Sequence, residues 1–269
     1  MRDPLSRGHL QLPTRHVLAH APNARSTRMN AVLSTQQQFS AHFSGREVLP
    51  HHDGPLYHSV QELRYKVYCE ECGFLKPEAC SNGRESDEHD INSAHFAALN
   101  RSVELAGYVR LVLPDAIETF PFHNHCVSLF EGVALPPAPL SAEISRLMVR
   151  KDYRRRHGEQ PPSGASTDTA EPTYDHELRN PSPQILLTLY REMYAYSLHN
   201  GIRYWYAAME RSLARILTRM NFGFQQIGPA TDYYGPVAPY VADLRVFEDQ
   251  LDQRNPALLA WMRSASALT

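Results

Sequence analysis

Apolar positions recur at two periods along this chain, and the change of period divides it into elements. Val60, Leu63 and Val67 fall at helical spacing. Ser59-Val60-Gln61-Glu62 fits a capping box, so a helix is predicted from Ser59, with Gly73 as its stop. A polar stretch over 81–92 follows. Segments 94–99 and 105–113 are rich in apolar, β-branched and aromatic residues, and the short link between them makes a hairpin. A Pro-bounded loop covers 114–140, and 142–149 reads as a third strand. Ile185, Leu186, Leu189, Met193 and Tyr196 stripe a helix over 184–199 that Asn200-Gly201 closes. Then come a strand over 202–209, a helix over 212–220, a short strand ending near Ile227, a last strand over 240–247 and a terminal helix over 251–262. The helix between the strands at 142–149 and 202–209 makes those two strands parallel neighbours. The whole is mixed α/β without an internal repeat.

The pattern fails at two places. Residues 1–50 hold six Arg against Asp3 and Glu47 and show no sustained period, which reads as a flexible leader ahead of a single domain over 51–269. An Arg-rich, acid-poor start also resembles a transit peptide, although a disordered start, with Met29 as an alternative first residue, is the simpler reading. The stretch 150–160 is basic and 161–183 is acidic and rich in Pro, Ser and Thr, so 159–183 reads as an insertion. Eight of the chain's 20 prolines flank the 143–156 segment.

Composition narrows the function classes. The 269 residues are 42% hydrophobic, which is globular. With 27 Lys+Arg against 29 Asp+Glu, the chain lacks the basic excess of a nucleic-acid binder. No apolar run approaches the roughly 18 residues an integral membrane span needs. Four cysteines are too few for a disulfide framework and suggest a reducing, cytoplasmic setting.

Several clusters can carry chemistry. Glu85-x-Asp87-x-x-Asp90 can hold an amine or a hard metal, with Arg64 and Arg110 as partners, or can be an ion-pair network fastening the first helix to the sheet. In Glu143-x-Ser145-Arg146, strand alternation places Glu143 and Ser145 on one face and Arg146 on the other. Charges inside an apolar strand need partners or line a site. Arg154-Arg155-Arg156-His157-Gly158, between a strand and a helix, suits phosphate binding or is a solvated charge run. Cys69-x-x-Cys72, with Cys80, His89 and His95 nearby, has zinc-like spacing, but there is no second C-x-x-C and ordinary packing is the better reading, so no metal is expected. Glu210, at a strand-to-helix junction, is a helix-start charge or a base. Serine-hydrolase and P-loop kinase signatures are absent.

Taken in order, Arg64 through Phe74, Glu85-x-Asp87-x-x-Asp90, Gly107 through Val112 and Glu143-Ile144-Ser145-Arg146 resemble the acyl-homoserine-lactone synthases. They resemble more closely the acyltransferases associated with PEP-CTERM/exosortase systems, and N-acyl amino acid synthases are similar. Trp205 through Leu213, Ile227-Gly228-Pro229 and Asp232 through Gly235 extend the likeness, which spans about residues 57–246. All these families sit in the GNAT superfamily. The resemblance implies a mixed, mostly antiparallel sheet with a central parallel strand pair flanked by helices. It implies N-acyl transfer from an acyl carrier protein (ACP) or coenzyme A (CoA) thioester, which is a co-substrate and not a cofactor, to the amine of an amino-acid-like acceptor. The donor would lie in the V between the parallel strands, with backbone amides of 144–149 as oxyanion donors.

By the same resemblance Glu85, Asp87 and Asp90 hold or deprotonate the amine, and Glu143 is a second candidate base. Arg64, Arg110, Ser145 and Arg146 match substrate-binding positions, and Arg154, Arg155, Arg156 and Gly158 would meet the donor. The chain departs from the GNAT pattern in having Gly158 alone, far from the next helix, which favours ACP over CoA. It departs from the autoinducer synthases in having Phe74 where they carry Trp, which weighs against S-adenosylmethionine as acceptor. An acyl-homoserine-lactone synthase and a non-catalytic GNAT-fold carrier-binding or ligand-binding module are the competing readings.

Overall fold

The first helix starts earlier than its sequence suggests, because Pro55 and not Ser59 sets its beginning. In a computed structural model, which describes residues 39–40, 42–114, 119–126, 128–154 and 182–267, helix α1 spans Gly54–Tyr65 with proline in its first turn. Proline is pre-set for that position, where its missing N–H costs nothing. Ser59 is inside the helix, and its hydroxyl donates to the Pro55 carbonyl at 3.1 Å in place of capping. The helix continues as a π turn over Lys66–Glu71. Gly73 follows at φ 64°, as expected of a stop.

Strand β1, Phe43–Val48, lies inside the stretch expected to be a leader, and so corrects its boundary. It pairs antiparallel with β2, Ser93–Asn100, and thereby hydrogen-bonds the sheet's first edge. Residues 1–38 of the expected leader are outside the described residues. β2 pairs with β3, Leu105–Val112, as the predicted hairpin. β3 pairs with β4, Ser141–Val149. A short helix α2, Pro121–His125, sits in the loop between them. The crossover helix α3, Ser182–His199, leads to β5, Tyr204–Glu210, which runs parallel to β4. α3 begins at Ser182, within the expected insertion, whose residues 159–181 are outside the described residues.

Helix α4 covers Arg211–Arg219, and two-residue strands β6, Gln225–Gln226, and β7, Thr231–Asp232, both pair with β8, Pro236–Asp243. The strand expected over 240–247 therefore ends at Asp243, whose carboxylate caps the Arg245 amide and starts helix α5, Leu244–Arg254. Pro256 divides the expected terminal helix, and α6, Pro256–Arg263, begins afresh under an Asn255 cap. The strands form one sheet in the order β1-β2-β3-β4-β5-β8-β6, with β7 on β8. It is antiparallel except at β4–β5, which confirms the expected fold class.

Each face of the sheet is closed by a helix. On one, α3 buries Ile185, Leu189 and Met193. Gly107 lets it come close, since a Cβ there would lie 2.5 Å from Ile185 Cγ2. On the other, Val60 and Leu63 of α1 pack with Val48, Ala97, Leu99 and Tyr108. Helical spacing carries that same stripe one residue past Leu63 to Arg64, which is therefore buried against the sheet beside His95 and Arg110. This places a charge where the site begins.

Candidate active site

Three arginines from three elements meet three carboxylates from one loop. Arg64 of α1 donates through Nε to Glu85 and through Nη1 to Asp90 Oδ1 at 2.6 Å. Arg110 of β3 bonds Asp87 Oδ1 and Asp90 Oδ1, both at 2.5 Å, and Ser145 Oγ at 3.2 Å. Arg146 of β4 bonds Glu85 Oε1 at 3.0 Å and Asp87 Oδ2 at 2.8 Å, and its guanidinium lies 4.4 Å from the Tyr68 ring centroid. Every carboxylate thus hydrogen-bonds two arginines, Asp87 also lies 3.8 Å from the third, Arg64, and the group is neutral as a unit. The loop's spacing is itself a capping box: the Asp87 carboxylate accepts from the His89 amide while Asp90 accepts from the Asp87 amide, starting a turn over Glu88–Asn92.

This geometry divides the roles expected of the cluster. Burial raises the Asp87 pKa, but Arg110, Arg146 and Arg64 outweigh it and hold the carboxyl far below its ordinary range. Asp87 is therefore a permanent anion near neutrality, suited to holding an ammonium and unsuited to taking its proton. Asp90 is likewise lowered, by Arg64 and Arg110 against its own burial. Behind the cluster, His95 Nε2 lies 3.1 Å from the Asp90 carbonyl and Nδ1 lies 2.6 Å from Tyr108 Oη. A carbonyl only accepts, so Nε2 carries the proton and Nδ1 accepts from tyrosine.

Arg146 corrects the expected alternation. It adopts a left-handed backbone, φ 54°, where the β3–β4 register shifts so that two residues, Arg146 and Leu147, stand opposite Val109. The bulge turns Arg146 to the face that Ser145 already occupies, where Arg146 meets the carboxylate loop and Ser145 accepts from Arg110.

Glu143 behaves differently from the loop carboxylates. It is 3% exposed and accepts the Phe122 amide of α2 at 2.9 Å. Burial pushes its pKa up to about 7 against the pull of that amide, Arg110 and Arg146. Parallel pairing of β4 with β5 covers Ser141–Ile144 against Tyr204–Ala207 and no further, and a cavity of about 300 Å³ opens beyond it, lined by Glu143, Ile144, Leu147, Tyr190, Met209 and Leu213 among others. A second cavity of about 350 Å³ is lined by Glu85, Asp87, Arg110 and His125. Ser145, Arg146, Tyr233 and Tyr234 line both.

The aromatic wall between the cavities was not among the expected site residues. Tyr68, Phe74 and Tyr234 lie 5.4–5.8 Å apart by ring centroids, and His125 stacks on Tyr233 at 3.7 Å. Gly235 at φ 98° after Tyr234 at φ 53° makes the turn that presents them. The available signal was Asp232-Tyr233-Tyr234-Gly235, whose turn character was visible but whose reach across to Tyr68 and Phe74 was not.

The basic stretch after β4 is not gathered with these groups. Arg150 pairs with Asp152 at 2.9 Å, and Arg154 pairs with Glu71. Arg155, Arg156 and Gly158 are outside the described residues. Glu210 sits at the N-cap of α4, where it accepts from Ser212 Oγ at 3.2 Å. Cys72 is exposed while Cys69 is buried, and among the described residues no three His, Cys, Asp or Glu side chains converge to hold a metal. No helix among them is long and apolar enough to cross a membrane.

Residues 63–160 match the family described as acetyltransferase (GNAT) domain. Solved structures share the fold. TofI, in a ternary complex with an inhibitor and MTA, is 16% identical with a TM-score of 0.54, over 81% of this chain and 99% of its own. The acyl-homoserine-lactone synthase LasI is 17% identical with a TM-score of 0.54, over 76% and 90%. BjaI, a CoA-dependent acyl-homoserine lactone synthase with SAM and isopentyl-CoA, is 18% identical with a TM-score of 0.54, over 85% and 99%. No curated protein matches. The chain has the GNAT fold.

Proposed function

We propose that this protein is an N-acyltransferase that moves an acyl group from a thioester donor to the amine of an amino-acid-like acceptor. The observation that carries this reading is Glu143, a buried carboxyl with its pKa pushed up to about 7, beside a cleft that adjoins a pocket lined by the paired carboxylates. The donor thioester lies in the β4–β5 cleft, with its acyl chain against Ile144, Leu147, Tyr190 and Leu213. The acceptor ammonium enters the second cavity, where Asp87 is the more exposed of the loop carboxylates. Glu143 takes the ammonium proton, directly or through a water, and the neutral amine attacks the thioester carbonyl. Backbone amides freed from the ladder at the Arg146–Leu147 bulge serve the oxyanion. The C–N bond forms, the C–S bond breaks, the thiolate leaves with the proton that Glu143 held, and the freed Glu143 carboxylate takes the extra proton from the new amide nitrogen and passes it to solvent.

The donor in this reading is an acyl carrier protein thioester. The described arginines after β4 are paired locally, but α4 carries Arg211, Arg215 and Arg219 one turn apart on an exposed row. Among the described residues none of them has an ion-pair partner. α4 starts at the cleft mouth, since Met209, Glu210 and Leu213 line the cavity. Such a row suits an acidic partner. Arg215→Glu is expected to lower kcat/KM for an acyl-ACP about ten-fold while leaving acyl-CoA turnover unchanged, as measured by thioester consumption with each donor. Equal loss with both donors would remove the carrier-protein assignment.

Lactone formation from S-adenosylmethionine is the second reading, favoured by the fold shared with LasI and BjaI. Mass spectrometry of lipids from cells overproducing the protein separates the two. A new N-acyl amino-acid species supports the proposal and a lactone supports the alternative. Neither product, with ligand bound, points to a non-catalytic binding module.

A further inference from the structure

The C-x-x-C spacing pairs Cys69 with Cys72 in sequence, but the fold pairs Cys69 with Cys80. The two sulfurs lie 3.6 Å apart, although all four cysteines are free thiols. Cys69 sits on the inner side of the π turn over Lys66–Glu71, while Cys72, at its end, is exposed. A π turn within a helix is a common mark of a functional position. Cys80 closes a short turn after Pro77–Ala79 and lines the pocket that holds Glu85 and Asp87.

We propose that Cys69 and Cys80 are a redox-active dithiol that closes to an intramolecular disulfide on reaction with a small disulfide such as oxidised glutathione. This inference is independent of the transfer reaction proposed above. Cys80 is the partly exposed sulfur and reacts first. Its thiolate attacks one sulfur of the small disulfide, giving a mixed disulfide and releasing one small thiol, which carries away the Cys80 proton. Cys69 then gives up its proton and attacks Cys80 Sγ, and the second small thiol leaves with that proton. Two protein thiols are oxidised and one small disulfide is reduced to two thiols.

The geometry suits each step. Burial, with Cys80 beside it, pushes the Cys69 thiol up to about 11, so an oxidant in solution does not capture it first. Its proximity to Cys80 makes it an effective resolving group once the mixed disulfide exists. Bond formation needs the sulfurs to close by about 1.5 Å. The segment between them can supply this. It passes through Gly73 at φ 64°, and from Gly73 onward its main-chain ties back to the π turn are the Phe74 and Leu75 amides on the Tyr68 carbonyl.

The test is to incubate the full chain with oxidised glutathione under native conditions, quench, and count thiols after denaturation. The exposed Cys72 takes up glutathione on its own account, so thiols are counted in Cys72→Ser, where the expected count falls from three to one, peptide mapping finds Cys69 joined to Cys80, and dithiothreitol restores the starting value. The wild type is expected to form the same bridge, and Cys80→Ser to form none that involves Cys69. A Cys69–Cys72 bridge overturns the proposal. So does glutathione retained on Cys80 with Cys69 still free.

Discussion

Glu143→Gln is expected to lower kcat/KM by about 100-fold or more, the usual worth of a positioned general base. The pH profile should separate a base from a packing residue. A base must be deprotonated to act, so the wild-type rate rises with pH through the Glu143 value of about 7, and in the variant that rising limb is gone. The stability effect has the opposite sign. The folded-state pKa stands above the ordinary carboxyl value of 4.5, so the folded protein binds the proton more tightly and loses stability as pH rises between those values. Glutamine carries no charge to desolvate and can still accept the Phe122 amide. The variant should therefore be at least as stable as the wild type at pH 8, which rules out unfolding as the cause of lost activity. Measured thioester turnover with unchanged kcat/KM and an unchanged limb would eliminate Glu143 as the base.

Arg64→Leu has the largest expected effect on the fold itself. Arg64 is wholly buried, and burial works against its charge, yet Tyr108, Asp90 and Glu85 together favour it more strongly. Leucine would leave Glu85 and Asp90 with one arginine each in a dry site. Breaking a buried pair in this way costs about 3–5 kcal/mol, which for a domain of this size is a fall in Tm of roughly 10 °C. The wild-type cluster also gives the protein an acid limit. Asp87 and Asp90 are lowered in the folded state, so their contribution is present above the unfolded carboxyl pKa of 3.8 and is lost as pH falls through the folded values. Urea unfolding of both proteins at pH 7 measures the difference. A variant within about 1 kcal/mol of wild type would show that the cluster does not fasten α1 to the sheet.

These expectations assign the cluster two functions that the sequence offered as alternatives. The ion pairs fasten α1 to β3 and β4, and the same pairing keeps Asp87 anionic at the rim of the pocket proposed for the acceptor. Structure and chemistry share the residues because three arginines cannot be buried without three carboxylates, and the one that remains partly exposed can meet a ligand.

The fold was legible where periodicity is local. The hairpin of β2 and β3, the crossover helix α3 and the parallel neighbours β4 and β5 follow from spacing, because alternation and helical stripes report which side of an element is buried. Boundaries were less legible where a single residue overrode the pattern, as Pro55 did for Ser59, Asp243 for the last strand and Pro256 for the final helix.

By itself the sequence determined the elements, their order and the carboxylates and arginines that carry the charge. Tertiary structure alone decided what those charges do. Alternation put Arg146 on the wrong face, because a left-handed residue at a register shift leaves no mark in the pattern of apolar positions. Nothing in the chain near Glu143 announced a pKa near 7, which arises from burial against the opposing pull of an amide 21 residues away. C-x-x-C named the wrong pair of thiols, since the partner of Cys69 is set by the path of the chain after Gly73. In each case the deciding neighbour is remote in sequence, and desolvation and proximity are properties of the packed molecule that local spacing does not encode.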